Sequence, residues 1–183
     1  VDLSVYPVRD HRFVLVMRGE ELGEQVSETD PQSVGVVPLE AEALRDGSAR
    51  TVDAANAFAA GARRALEGRN TANMVLLRGL SQRPNLPQMG DVYALTPAAI
   101  AAYPMYRGLA ELIGIKVLPT GTSFDDELDT LESSFGEHDF FFLHYKPADA
   151  AGEDGDFDAK VAALEALDGS MPRLLELDPD VLV

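Results

Sequence analysis

The sequence predicts an α/β fold, a parallel or mixed sheet flanked by helices and split into two partial lobes. Three observations predict it. Apolar strand-like runs alternate with helical stretches along the chain. Phe140-Phe141-Phe142-Leu143 is a continuous apolar run, the pattern of a strand covered on both faces of a parallel sheet. Arg83-Pro84-Asn85-Leu86-Pro87-Gln88-Met89-Gly90 breaks regular structure, because two prolines and a glycine extend neither a helix nor a central strand. The breaker sets a first lobe at residues 1–83, a hinge at 84–91 and a second lobe at 92–183.

In the first lobe, residues 12–18 read as a strand, followed by a loop through Pro38. Thr51 and Asp53 suit a helix start, and Phe58, Ala62, Ala65 and Leu66 give an apolar stripe, so a helix is expected over about 51–67. Residues 73–78 read as a second strand, making a βαβ-like unit. Beyond the hinge, Thr96-Pro97 opens a helix that the pattern carries to Ile113, with Gly114 as terminator and Pro104 kinking or dividing it. A short strand at 116–118, an acidic helix at 125–133, a strand at 139–145, a helix at about 157–167 and a last strand near 181 complete the order. The acids of the 125–133 helix read as a solvated face.

Candidate chemistry collects at predicted strand ends, where ligands bind in open α/β sheets. His144, Lys146, Asp149, Glu153 and Asp154 fall at or beyond the end of the Phe140 run. Asp149 and Glu153 are four residues apart across Ala-Ala-Gly, with Gly155 freeing the backbone, a spacing that lets two carboxylates converge on a divalent cation. Asp154, Asp156 and Asp158 equally suit the capping of the helix that begins near Phe157. One residue separates His144 from Lys146, so on an extended strand both face one side. Arg18 and Arg78 each end an apolar strand and precede a glycine. A guanidinium fork in that position either meets solvent or grips a carboxylate or phosphate with two parallel hydrogen bonds.

Composition narrows the classes. Of 183 residues 46% are hydrophobic, enough for one or two cores. No apolar run is long enough to span a bilayer and no secretory pattern appears, so a soluble, cytoplasmic protein without a membrane partner is expected. Cysteine is absent, which removes disulfides and thiolate ligands. The formal charge of −16 argues against nucleic acid, whose phosphates demand a basic surface. An anionic ligand must therefore meet focused positive charge or metal within an unfavourable overall field.

The motifs His144–Lys160 (HYKPADAAGEDGDFDAK), 73–80 (NMVLLRGL), 98–115 (AAIAAYPMYRGLAELIGI), 10–19 (DHRFVLVMRG) and 27–31 (SETDP) together resemble the archaeal-type 2,3-bisphosphoglycerate-independent phosphoglycerate mutases. That family belongs to the alkaline phosphatase superfamily of two-metal phosphoryl-transfer enzymes. The resemblance implies a phosphotransferase-type insertion in the first lobe and part of an alkaline-phosphatase-like metal domain in the second. It implies substrate contacts from Arg78, then Arg18, His11, Arg12 and Lys146, with Asp30 accepting a hydrogen bond from a substrate hydroxyl. An Asx-type turn before Pro31 explains Asp30 equally well. Asp149 and Glu153 correspond to metal ligands. Glutamate at 153, where many superfamily members carry histidine, shifts preference toward manganese or magnesium and away from zinc.

The resemblance further implies interconversion of 3-phosphoglycerate and 2-phosphoglycerate in glycolysis and gluconeogenesis. It implies two divalent ions, no bisphosphoglycerate cofactor, and a metal-activated serine that carries the phosphoryl group. Lobes closing about the hinge are expected to exclude water. That serine is expected upstream and a TGDHS-like motif downstream, so the chain reads as an internal fragment with no catalytic nucleophile and no turnover alone. Sheet edges left open favour a homo-oligomer. A phosphatase or other hydrolase of the same superfamily, and a non-catalytic anion-binding module, are the rival readings.

Overall fold

The structure, a computed structural model, describes residues 1–8 and 11–183. The chain forms two compact units, Val1–Pro84 and Asn85–Val183.

In the first unit β1 (Asp2–Pro7) pairs antiparallel with β2 (Phe13–Arg18), in register from Asp2 opposite Arg18 to Pro7 opposite Phe13. The side-chain period of two sends Phe13, Leu15 and Met17 to one face of β2. There they pack with Val26, Ala41, Ala55 and Leu77, beside Val52, Phe58 and Leu80. The helix α1 (Ala49–Ala65) buries Thr51, Ala55 and Ala59 at successive i+4 positions, and Phe58 meets Phe13 with ring centroids 6.1 Å apart. Ala65, expected on the buried stripe, is exposed.

Residues 73–78 are not a strand, and no βαβ unit forms among the described residues of this half. The partner of β2 is β1, which the sequence reading left unassigned. Leu77 instead exchanges bonds with Thr29, whose N–H donates to the Leu77 carbonyl at 2.9 Å and whose Oγ1 accepts the Leu77 N–H at 2.7 Å. One hydroxyl and one amide satisfy the backbone that a ladder would otherwise have served.

The second unit holds α2 (Met89–Tyr93), β3 (Pro97–Ile100), α3 (Pro104–Leu112), β4 (Lys116–Val117), α4 (Phe124–Ser134), β5 (Phe140–Leu143), α5 (Pro147–Glu153) and α6 (Phe157–Glu176). Its sheet is parallel in the order β4-β3-β5. Ala98 and Ile100 face a core of Leu118, Leu128, Leu131 and Leu174, with Phe141 and Leu143 beside them. Ala99 faces the other way, toward Ala110 and Ile115 with Phe142. Apolar side chains therefore alternate toward two helix layers, which is why the Phe140 run has no polar face. All four of its residues are nonetheless half-buried, because β5 is a sheet edge.

The helix expected from Thr96 to Ile113 begins only at Pro104, and its first part is the fully buried central strand β3. In a continuous helix the Pro104 ring would clash with the Ile100 carbonyl. That carbonyl instead accepts the His144 N–H at 3.1 Å. Gly114, at φ +75°, ends α3, and a Cβ there would collide with Gln88. The strand expected over 139–145 stops at Leu143, α6 continues past residue 167 to Glu176, and the residues near 181 are irregular rather than a strand.

Ser123 and Asp126 form a reciprocal capping box at the start of α4. Ser123→Ala is expected to cost about 1 kcal/mol in urea unfolding. The acidic face of α4 is not simply solvated. Arg173 of α6 contacts Asp129 and Glu132, each at 2.7 Å, and its hydrogen bond holds the Glu132 carboxyl below its ordinary pKa. Glu127, in the same helix, is buried.

Candidate substrate cleft and carboxylate cluster

The first unit contains a cleft of about 850 Å³ between β2 and the 76–83 segment. Arg18, Arg78 and Arg83 all line it, as does Glu24. Arg18 ends β2 and reaches Ser4 Oγ at 3.5 Å. Arg78 follows the buried Leu77 anchor and lies 3.4 Å from Asp30 Oδ2 and 3.7 Å from Glu28 Oε2. Asp30 serves two purposes, since its Oδ1 accepts the Gln32 N–H at 2.8 Å in an Asx turn across Pro31.

The structure thus brings Arg18 and Arg78 to one cleft and sets Asp30 beside Arg78. His11 and Arg12 lie at the hairpin turn, where the Arg12 carbonyl accepts the Val8 N–H at 3.1 Å, and they are not among the cleft-lining residues. Asp10 of the same motif lies outside the described residues. Arg83 escaped the sequence reading because it stands in the proline-rich breaker and follows no strand.

In the second unit the chain leaves β3 for β4 on one side of the sheet, then crosses to β5 on the other. The carboxyl ends of β3 and β5 therefore flank a topological switch point, where α/β sheets open a crevice. Tyr103 follows β3 and Lys146 follows β5, with Lys146 Nζ 5.7 Å from the Tyr103 ring centroid. His144 stacks on Tyr106 at 3.6 Å between centroids. Burial, and then the charge of Lys146, hold its imidazole below the ordinary histidine pKa, against the pull of Asp149.

Lys146 does not lie on an extended strand beside His144. Its backbone is already helical at the start of α5, and its ammonium turns to the two acids. It donates to Asp149 Oδ2 and, at 3.4 Å, to Glu153 Oε2. The first bond raises the lysine pKa and depresses that of Asp149.

Asp149 and Glu153 converge because they are one helical turn apart on α5, rather than through a loop turn. Of the neighbouring acids Asp156 is the α6 cap, its Oδ1 accepting the Ala159 N–H at 2.9 Å. That leaves Asp149 and Glu153 with no capping role. Two hard oxygen donors fit a share of a magnesium or manganese ligand set. Among the described residues no group of three or more His, Cys, Asp and Glu converges as a complete site.

Family models match both parts of the chain. Residues 40–183 match the metalloenzyme superfamily and residues 1–71 match 2,3-bisphosphoglycerate-independent phosphoglycerate mutase. A probable 2,3-bisphosphoglycerate-independent phosphoglycerate mutase of Thermus thermophilus is 45% identical over all of this chain, which covers 46% of that relative. One of the same description from Thermotoga neapolitana is 42% identical, again over the whole chain and 46% of the relative. The chain therefore spans about half the length of the curated relatives it matches. The solved cofactor-independent phosphoglycerate mutase of Thermoplasma acidophilum shares the fold, with a TM-score of 0.53 at 22% identity over 92% of this chain and 50% of that one. With a mixed α/β architecture, paired carboxylates at a sheet switch point and a family match over most of its length, the chain belongs to the metalloenzyme superfamily.

Proposed function

We propose that the protein interconverts 3-phosphoglycerate and 2-phosphoglycerate without a bisphosphoglycerate cofactor, as a cytoplasmic step of glycolysis and gluconeogenesis. The observation that carries this reading is the pairing, in one chain, of an arginine-lined cleft with a carboxylate pair on α5, the helix that follows β5. The identity to relatives described as such mutases supports it.

In this reading the first unit is the substrate-gripping lobe and the second the metal lobe. Arg78 and Arg18 bind the carboxylate and phosphate of the phosphoglycerate, and Arg78 exchanges its acidic neighbours Glu28 and Asp30 for the ligand. Arg83 adds a third guanidinium. Asp30 is then free to accept from a substrate hydroxyl. Asp149 and Glu153 would hold manganese or magnesium, one of two ions, whose charge would offset that of a transferring phosphoryl group. Lys146 balances the two carboxylates and supplies positive charge toward the phosphoryl oxygens. No nucleophile is assigned within these 183 residues.

An enolase-coupled assay of the intact protein tests this. Conversion of 3-phosphoglycerate without added bisphosphoglycerate and without release of inorganic phosphate is expected. Release of phosphate instead identifies a phosphatase. The 183-residue chain alone is expected to show no turnover in the same assay.

A further inference from the structure

The geometry points to Glu127 as a positioning residue that sets the β3–α3 turn against the Lys146 cluster. This rests on the reading of Asp149 and Glu153 as cation ligands.

Glu127 lies in the first turn of α4, on its core face with Leu128 and Leu131, and is 3% exposed. Its Oε1 accepts the Ala102 N–H at 2.7 Å, while its Oε2 is buried with no hydrogen-bond partner among the described residues. Burying a carboxyl with one oxygen unpaired is costly, and an apolar side chain would fill the volume at less cost. What an apolar residue cannot do is hold Ala102.

Ala102 is the second residue past β3, and Tyr103 caps α3 immediately after it. Tyr103 carries the ring facing Lys146 Nζ, and Tyr106, one turn on, carries the ring stacked on His144. Lys146 in turn holds Asp149 and Glu153. On the other strand the His144 N–H is fixed to the Ile100 carbonyl. The turn after β3 is thus clamped to the turn after β5 through two aromatic contacts, and Glu127 clamps it from behind. Burial pushes the Glu127 carboxyl up to about 7, against the lowering effect of the Ala102 hydrogen bond. In either protonation state Oε1 remains an acceptor.

The test compares E127M, which keeps the volume and removes the acceptor, with E127Q, which keeps both. In metal-free protein, E127M is expected to lose the ring-current displacement of the His144 ring protons, and E127Q to retain it. Titration with Mn²⁺ alone is expected to show about tenfold weaker binding in E127M, the scale of loss typical of groups that orient metal ligands, and parental binding in E127Q. Tyr103→Leu should reproduce the Mn²⁺ loss with Glu127 intact, and the E127M/Y103L pair should lose no more than either alone.

His144 shifts unchanged in E127M overturn the positioning role, as does parental Mn²⁺ affinity in Y103L, which stands even where E127M does not fold. Equal loss in E127Q and E127M overturns the Ala102 hydrogen bond as its basis. His144 shifts that move while D149N leaves Mn²⁺ affinity untouched overturn the cation-ligand reading and not the clamp.

Discussion

Glu127→Gln is expected to be more stable than the parent by about 3 kcal/mol near pH 8 and indistinguishable from it near pH 4.5. The folded-state pKa of Glu127 is raised from 4.5 to about 7, first by burial. A raised pKa means that the folded protein binds more protons than the unfolded chain across that window. The stability held with Glu127 neutral is therefore fully present below 4.5 and is lost as pH rises through about 7. Glutamine mimics the neutral acid, keeps the acceptor for Ala102 and never ionises. His144 acts in the opposite sense, because its pKa is depressed below the ordinary 6.5, so its contribution grows as pH rises toward that value. Asp149 and Glu132, also depressed, lose their contributions only as the solution becomes acidic below their ordinary range. Taking the difference between E127Q and parent cancels all three. Urea unfolding at a series of pH values checks the result, and parallel curves for the two proteins contradict it.

Asp149→Asn is expected to weaken Mn²⁺ binding at least tenfold, or roughly 1.4 kcal/mol. The substitution replaces a charged hard donor with a neutral amide and leaves Glu153 alone. It also removes the principal partner of Lys146, whose pKa should fall back toward its ordinary value. An ammonium released from Asp149 then competes with the cation for the remaining carboxylate. Asp158→Asn, one residue into α6 and outside the cluster, is the control with parental affinity. Calorimetric titration of Mn²⁺ separates the two variants. Equal affinity in D149N and D158N contradicts the assignment.

Much of the second unit was legible because its strongest signals are local. The Phe140 run, the Gly114 terminator and the acidic start of α4 each depend on neighbouring residues only. The central strand was not legible, since Pro-Ala-Ala-Ile has the composition of a helix opening. Its conformation is set by what lies on either side, as the small Ala98 and Ala99 let two helix layers approach a strand with neighbours at both edges. The same holds for β1, whose strand character depends on pairing with β2, and for Leu77, whose extended backbone is satisfied by Thr29.

At the site, the four-residue spacing of Asp149 and Glu153 was visible, and so were the two arginines that share a cleft. The helical backbone of Lys146, which turns its ammonium to the two carboxylates, was not legible from the strand before it. Glu127 was lost among Asp125, Asp126 and Asp129. A closer helical count would have found it, since it shares a face with Phe124, Leu128 and Leu131.

If these residues form a phosphoglycerate half-site, Arg78 must contribute to ligand binding. Calorimetric titration of 3-phosphoglycerate into the protein with Mn²⁺ present, beside Arg78→Ala, tests it most directly. Binding is expected, and it should weaken at least tenfold, about 1.4 kcal/mol, when the guanidinium is removed. An R78A protein that takes up 3-phosphoglycerate as tightly as the parent contradicts it.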